Sequence, residues 1–548
     1  MTSLRKSPRL ADSSILLLSC CALAVAWLIV DGLLLPPPFG GTDFYYFKDP
    51  GINWATGLGF VSRFTFGNPT FDYQIYAVYP PVYPALFGFA AKLLGVSAST
   101  SQIFNAVLGV ALGVAGFLSL KPLLEGRPFR VPDLAVLLVV FAAVVVNGFY
   151  LPTADRPDGL GVCFGLLALV ALRWSASPSG EFVAGLLCGA SLLTSPFAGV
   201  WAAIAVTIVV LDRHLRTAGL WPCVGKMLIV GAAAISVMAA AIALFALVLP
   251  GWLPNFIGVL IGSTTRNETG GGYFLALLHG DVRTWLGAFP TGDPNYFVSL
   301  SKLLAVQLIL VCAVIVDLLR SGSCARSLPL VLLLAASPLC LVATPYQGNY
   351  APMTATLLLG GTAAIAWRMP APSRTVYAAA CLLGLAVICA CSAPDRLRDF
   401  IVRISARESM ALALAAIDRV REDLGHDENE LIAVSPSTYI LWRQEGLRPL
   451  TTTYSGFEAP DNRKRLAYVA TAFSGSGDPL APQVPIWLTK AEYRIAFEPA
   501  LPQYATVLGR VASRSSQTWE SRIYARRDRT AARPDSTGAP NGSPRVQP

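Results

Sequence analysis

One carboxylate stands in the stretch Gly41-Thr42-Asp43-Phe44-Tyr45-Tyr46, directly after the first long apolar run. Burying an ionised side chain in lipid is expensive, so an acid beside a membrane segment is either in water or in use. Asp43 has the chemistry of a general base, able to take the proton of a hydroxyl that comes within hydrogen-bond reach. A solvated loop aspartate, helped by Gly40 and Gly41, accounts for the same residue. The neighbours argue for a site: Tyr45, Tyr46, Phe47 and Trp54 offer flat rings of the kind that sugar binding requires. An aromatic belt at the membrane interface would use the same residue types.

Three further groups carry candidate chemistry. Asp155-Arg156-Pro157-Asp158-Gly159 opens a helix, and Asp158 has the residue type and position of an N-cap. Arg156 suits a phosphate, because a guanidinium makes paired, charge-assisted hydrogen bonds. The stretch 250–297 holds Arg266, Asn267, Glu268, Gly270-Gly271-Gly272-Tyr273, His279, Asp281 and Arg283. Its glycines allow the backbone close to a ligand, but the GK[ST] ending of a P-loop is missing. Tyr346-Gln347-Gly348-Asn349-Tyr350 forms another polar turn, for which an interfacial loop is the simpler account.

No metal site is written into the sequence. The three His residues, His214, His279 and His426, lie far apart, and Cys residues such as Cys163, Cys188, Cys340 and Cys381 sit in apolar runs as small buried hydrophobes. No cofactor is demanded; the carboxylates of Asp43, Asp49 and Asp158 leave a divalent cation open.

These residues need a membrane scaffold to position them. The chain is 54% hydrophobic and only 14% charged, against about a quarter charged in a soluble domain. Apolar segments fall at 14–35, 102–120, 131–150, 159–173, 181–195, 197–211, 226–249, 298–319, 328–343, 351–367 and 376–392. This predicts a polytopic α-helical protein of about 11 transmembrane helices. The two segments flanking Thr194-Ser195-Pro196 are short and are expected to dip and return. The net charge of +9 does not indicate a nucleic-acid partner, because the Lys and Arg residues sit between apolar segments.

Their distribution also fixes a side. The segment 79–96 is broken by Pro80, Pro81 and Pro84 and carries Lys92. If it lies flat in the interface, the basic loops at Lys121/Arg127/Arg130, Arg173, Arg213/Arg216/Lys226, Arg320/Arg326 and Arg368/Arg374 all share the side of Arg5/Lys6/Arg9. The short opposite loops then hold Arg156 as their only cation. If it spans, the positive-inside rule fails throughout. The flat reading puts the N-terminus in the cytoplasm, and the first loop, the 151–158 turn, the 250–297 loop and the C-terminal region outside. Residues 1–392 form the membrane domain. Residues 393–526, where charges become frequent, read as a small soluble α/β domain. Residues 527–548 have the composition of a disordered tail. Within 393–526, residues 404–424 and 461–473 read as helices, and 431–434, 448–453, 484–488, 493–497, 506–511 and 522–525 as strands.

The ordered set Thr42-Asp43-Phe44-Tyr45-Tyr46, Tyr79-Pro80-Pro81-Val82-Tyr83-Pro84, Arg156-Pro157-Asp158-Gly159-Leu160-Gly161 and Leu193-Thr194-Ser195-Pro196-Phe197 resembles the GT-C glycosyltransferases over about residues 14–370. It is most similar to their bacterial branch of dolichyl-phosphate-mannose-protein-mannosyltransferase-like (PMT-like) and lipid A aminoarabinose-transferase-like enzymes. The resemblance implies a bacterial inner-membrane enzyme. It would move a sugar from a polyprenyl-phosphate lipid to a lipid, glycan or protein acceptor on the outer face. On that reading Asp43 is the base of an inverting transfer, and Arg156, Asp158, Tyr45, Tyr46, Tyr83, Arg266 and Tyr350 meet the substrates. The chain departs from its relatives at Phe44, where many carry a second acid, at Ser195-Pro196, where a Lys is common, and at Asn349, where an Arg often precedes the Tyr. The alternative is a flippase or transporter of lipid-linked sugars. Such proteins tend to show repeated halves and charges deep in their helices, and neither appears here.

Overall fold

A computed structural model describes residues 46–63, 72–76, 79–124, 156–174, 178–257, 294–321, 324–342, 347–366 and 369–388, and shorter stretches within 390–526. The chain divides into two compact units, Met1–Ile404 and Ser405–Pro548.

The first unit begins with a short helix, α1 (Asp49–Ala55), which has Pro50 in its first turn, where the missing N–H is no loss. A two-residue antiparallel pair follows, β1 (Val61–Ser62) with β2 (Gln74–Ile75). Helix α2 (Val82–Leu94) has 13 residues, about 20 Å at 1.5 Å per residue. That is short of the hydrocarbon thickness of about 30 Å. Helices α1 and α2 cross backbone to backbone: a Cβ on Gly51 would stand 2.3 Å from the Pro84 carbonyl oxygen. Only glycine permits that approach. Lys92 of α2 lies over the Trp54 ring at 4.7 Å, closing the same corner.

Longer helices follow: α3 (Ala98–Leu124), α4 (Asp158–Trp174), α5 (Pro178–Leu192), α6 (Pro196–Ala218), α7 (Leu220–Val248), α8 (Pro294–Ser321), α9 (Cys324–Val342), α10 (Gln347–Ala366) and α11 (Ala371–Ile388). Among the described residues, five are long and apolar enough to cross a membrane: Ala98–Gly116, Pro196–His214, Leu220–Val248, Lys302–Ser321 and Ala371–Ile388. The chain is thus an integral membrane protein. The expected segments 14–35 and 131–150 lie outside the described residues. The expectation that the segments around Thr194-Ser195-Pro196 both turn back is corrected for α6. It runs 23 residues, about 35 Å, because the apolar run continues through Val209 and Val210 before Asp212.

Helix α4 packs against α3, α5 and α6, while α5 packs on α7 and α8 on α10. Small residues set the α4–α6 spacing. A Cβ on Gly161 would meet the Ala198 Cβ at 2.6 Å, the close approach that small residues allow between membrane helices. Leu166, Phe197, Ala198 and Trp201 join the core that results.

The second unit holds a five-stranded sheet of order β4-β3-β5-β7-β6. Its strands are β3 (Leu431–Val434), β4 (Leu450–Thr451), β5 (Leu466–Ala472), β6 (Tyr493–Phe497) and β7 (Ser521–Arg526), with helix α12 (Tyr439–Gln444) between β3 and β4. β3 runs parallel to both β4 and β5. β7 pairs antiparallel with β5 and β6. All four residues of β3 are buried, as in a strand covered on both faces. The helix expected over 461–473 is corrected: residues 466–472 form β5, paired on both sides. Tertiary pairing and the strand formers Tyr468 and Val469 outweigh the helix-like spacing of the preceding charges. The strand expected at 506–511, residues 484–487 of the strand expected at 484–488, and most of the helix at 404–424 lie outside the described residues.

Candidate functional site

Arg156 sits in the turn before α4 and is buried, as is Asp158. Its Nε donates to Asp158 Oδ2 at 2.9 Å. The other carboxylate oxygen, Oδ1, accepts a short hydrogen bond from the Ser195 hydroxyl. Two chain segments, 37 residues apart, thus meet on one acid. Ser195 is placed by local rules. Its backbone is extended (φ −150°, ψ 120°), as proline at the next position favours. Its side-chain oxygen accepts from the Ala198 amide at 3.3 Å and caps α6. Ser191 reinforces the join by donating to the Gly161 carbonyl at 2.8 Å. Asp158 is the first residue of α4 rather than the residue before it. Its carboxylate faces Arg156 and Ser195, and its charge also suits the positive end of the helix.

The first loop reaches this group through Phe47. The Arg156 guanidinium carbon lies 6.0 Å from the Phe47 ring centroid, at the outer limit of a cation–π contact. Phe47 itself packs edge-on against Tyr79 at 4.9 Å, so Tyr79 of the Tyr-Pro-Pro stretch supports the ring that faces Arg156. Tyr46 is partly buried against the same core. Tyr83 is fully buried and packs edge-to-face on Phe104 of α3 at 5.5 Å. Tyr350 lies in the first turn of α10. Asp43, Tyr45 and Arg266 lie outside the described residues, as do 258–293.

The structure adds two residues that sequence reasoning left without a role. Ser195 stood only as a departure from a pattern, yet it binds Asp158. Lys48 takes its role from partners on a distant helix. It is fully buried, and its Nζ donates to Ser101 Oγ at 2.7 Å and to Asn105 Oδ1 at 3.0 Å. Its neighbour Asp49 accepts from Asn53 Nδ2 at 2.9 Å. A lysine between a phenylalanine and an aspartate, in a loop otherwise nearly free of cations, was the available signal.

A second charged group lies elsewhere in the bundle. Glu181 Oε1 of α5 stands 3.3 Å from both His214 Nε2 of α6 and Lys226 Nζ of α7. Among the described residues, no group of three or more His, Cys, Asp or Glu side chains is arranged to hold a metal ion. Chemically, the group is a buried guanidinium oriented by a carboxylate that also accepts from Ser195.

No protein-family model matches the chain, and no curated protein matches it. Solved structures similar to it include three of related kind. Aminoarabinose transferase ArnT from Cupriavidus metallidurans, bound to undecaprenyl phosphate, has 12% identity and TM-score 0.46, over 93% of this chain and 97% of that one. An oligosaccharyltransferase from Archaeoglobus fulgidus, in complex with Zn and sulfate, has 12% identity and TM-score 0.46, over 84% and 68%. The oligosaccharyltransferase AglB of Archaeoglobus fulgidus, with an inhibitory peptide and a dolichol-phosphate, has 14% identity and TM-score 0.41, over 83% and 69%. These are membrane glycosyltransferases of the GT-C fold, the class that the sequence motifs resemble.

Proposed function

We propose that this chain is a membrane glycosyltransferase that moves a sugar from a polyprenyl-phosphate donor to an acceptor hydroxyl on the outer membrane face. The single observation that carries the reading is the Arg156–Asp158–Ser195 group with Phe47 beside the guanidinium. It supports an oriented cation next to the first loop. Asp43 precedes Phe47 by four positions, and four residues of chain reach at most about 14 Å. Covalent connection alone therefore keeps the Asp43 backbone within about 14 Å of that of Phe47.

In this mechanism Asp43 accepts the acceptor's proton as its oxygen attacks the anomeric carbon. A bond forms between that oxygen and the anomeric carbon, and the bond from the anomeric carbon to the donor phosphate oxygen breaks. The electron pair leaves on the polyprenyl phosphate, and configuration inverts. The phosphate is a good leaving group once its charge is met, so a strong general acid is not needed. Arg156 meets that charge, and Arg266 stands as a second cation for it. Tyr45, Tyr46 and Tyr350 are proposed to contact the sugar or the acceptor, which is a lipid, glycan or protein. The mechanism requires no metal. A divalent cation would draw on the carboxylates of Asp43, Asp49 and Asp158. The N-terminus is proposed to be cytoplasmic in a bacterial inner membrane, with residues 393–526 outside.

The test is transfer from a panel of polyprenyl-phosphate sugars by the purified full-length protein in lipid. We expect one donor to be consumed, and Asp43→Asn to lower kcat by about 100-fold or more, the scale on which a positioned base acts. Full transfer by Asp43→Asn overturns the role of Asp43. Movement of the lipid-linked sugar across a vesicle membrane, with no sugar transferred, supports the flippase instead.

A further inference from the structure

We propose that Lys48 is a positioning residue: its buried ammonium pins the first-loop segment that carries Phe47 onto α3. Lysine is almost never fully buried, yet Lys48 is 0% exposed. Its contacts have the form of an anchor. Ser101 and Asn105 lie one turn apart on α3, and both accept from Nζ, at 2.7 and 3.0 Å. Two aromatic rings wall the ammonium: Phe87 of α2 at 4.9 Å and Phe104 of α3 at 5.7 Å. Both distances lie within the range of a cation–π attraction.

What the anchor holds is decided by its neighbours in the chain. Phe47, one residue before, carries the ring next to the Arg156 guanidinium. Asp49, one residue after, opens α1 and accepts from Asn53. Asn53 in turn donates to the Val61 carbonyl at 2.8 Å, which ties α1 to β1. Lys48 is therefore the point where the loop passes from its own internal bonding to α3. Arg156 has a separate hold, through Asp158. Loosening Lys48 should therefore displace the loop and leave the guanidinium in place.

This inference rests on the glycosyltransferase reading for its kinetic consequence. A base displaced by about 1 Å can lose on the order of 100-fold in rate. In lipid-reconstituted full-length protein, Lys48→Met should lower kcat by about 30-fold or more, while the donor KM and the direct binding of undecaprenyl phosphate stay within about threefold. The same variant should speed hydrogen–deuterium exchange at residues 46–55, measured without substrate. Asn105→Ala, which leaves Ser101 and the lysine, is the milder variant should Lys48→Met fail to fold. It should show the same split at about fivefold.

Unchanged exchange at 46–55 in either variant overturns the anchor, whatever the enzyme does. Wild-type kcat in the variants shows that the lysine only packs, and overturns the positioning role. Loss of undecaprenyl-phosphate binding in step with kcat makes Lys48 a ligand and also overturns it. Absence of transfer by the wild-type protein sinks the glycosyltransferase reading instead, and the exchange measurement still decides the anchor.

Discussion

Helix α5 has a buried charged group at each end, and the two are built differently. Near its last turn, Asp158 receives Arg156 and Ser195 through directed hydrogen bonds, and Ser195 also caps α6. In its first turn, Glu181 stands 3.3 Å from His214 and Lys226. Yet among the described residues neither of its oxygens has a hydrogen-bond partner. The difference is one of geometry, not of charge type. Directed bonds fix a cation's orientation, which a site needs before a charged ligand arrives. Undirected proximity only lowers the energy of keeping an acid out of water. Ten residues of helix, about 15 Å, separate Glu181 from Ser191, so the two groups can be altered independently.

The largest expected effect tests the oriented end. Arg156→Ala removes the guanidinium and leaves Asp158 buried without its ion pair. Breaking such a pair destabilises by about 3–5 kcal/mol, so the variant confounds folding with function. Arg156→Lys keeps the charge and loses the fork. It should lower kcat/KM for a polyprenyl-phosphate sugar by about 10- to 100-fold, mostly in donor KM, with the thermal midpoint nearly kept. If Arg156→Lys transfers sugar like the wild type, the two ends of α5 do not differ in kind.

A middle-sized effect is expected at Ser195. Ser195→Ala loses an N-cap, worth about 1 kcal/mol, and the hydroxyl that holds Asp158. Activity should fall by about 5- to 10-fold, as one oriented hydrogen bond of about 1–1.5 kcal/mol is removed. Ser195→Thr supplies a hydroxyl able to make both contacts and should restore most of the activity and stability. Failure of threonine to rescue would mean that the hydroxyl's bond to Asp158 is not what matters.

The contrast also shows what the sequence could and could not reveal. Arg156 stood out in the sequence because a lone cation in a short loop defies the charge bias. The helices α3 to α11 were legible because apolar runs of that length have few other homes. Ser195 was not, because its value depends on Asp158 arriving from 37 positions away. The N-cap role expected for Asp158 was a local inference, and the structure adds its bonds to Arg156 and Ser195. Lys48 was hidden for the same reason: its partners lie 53 and 57 positions on. Residues 466–472 misled because strand pairing is settled by neighbours and not by spacing along the chain.

The smallest expected effect lies at the other end of α5 and is the sharpest control. Glu181→Gln keeps the size and removes the charge. Lys226 and His214 are then left facing an amide, with side chains 21% and 16% exposed. That exposure lets water take up part of the loss, so the cost should fall below that of a fully buried pair. The apparent thermal midpoint should drop by a few degrees, as a change of about 1 kcal/mol does in proteins of moderate size. Sugar transfer at 25 °C should stay within about twofold of wild type, since no directed bond near Arg156 is altered. A larger fall in kcat, at unchanged midpoint, would mean that the two ends are coupled through α5. The undirected group would then have to be counted as part of the site.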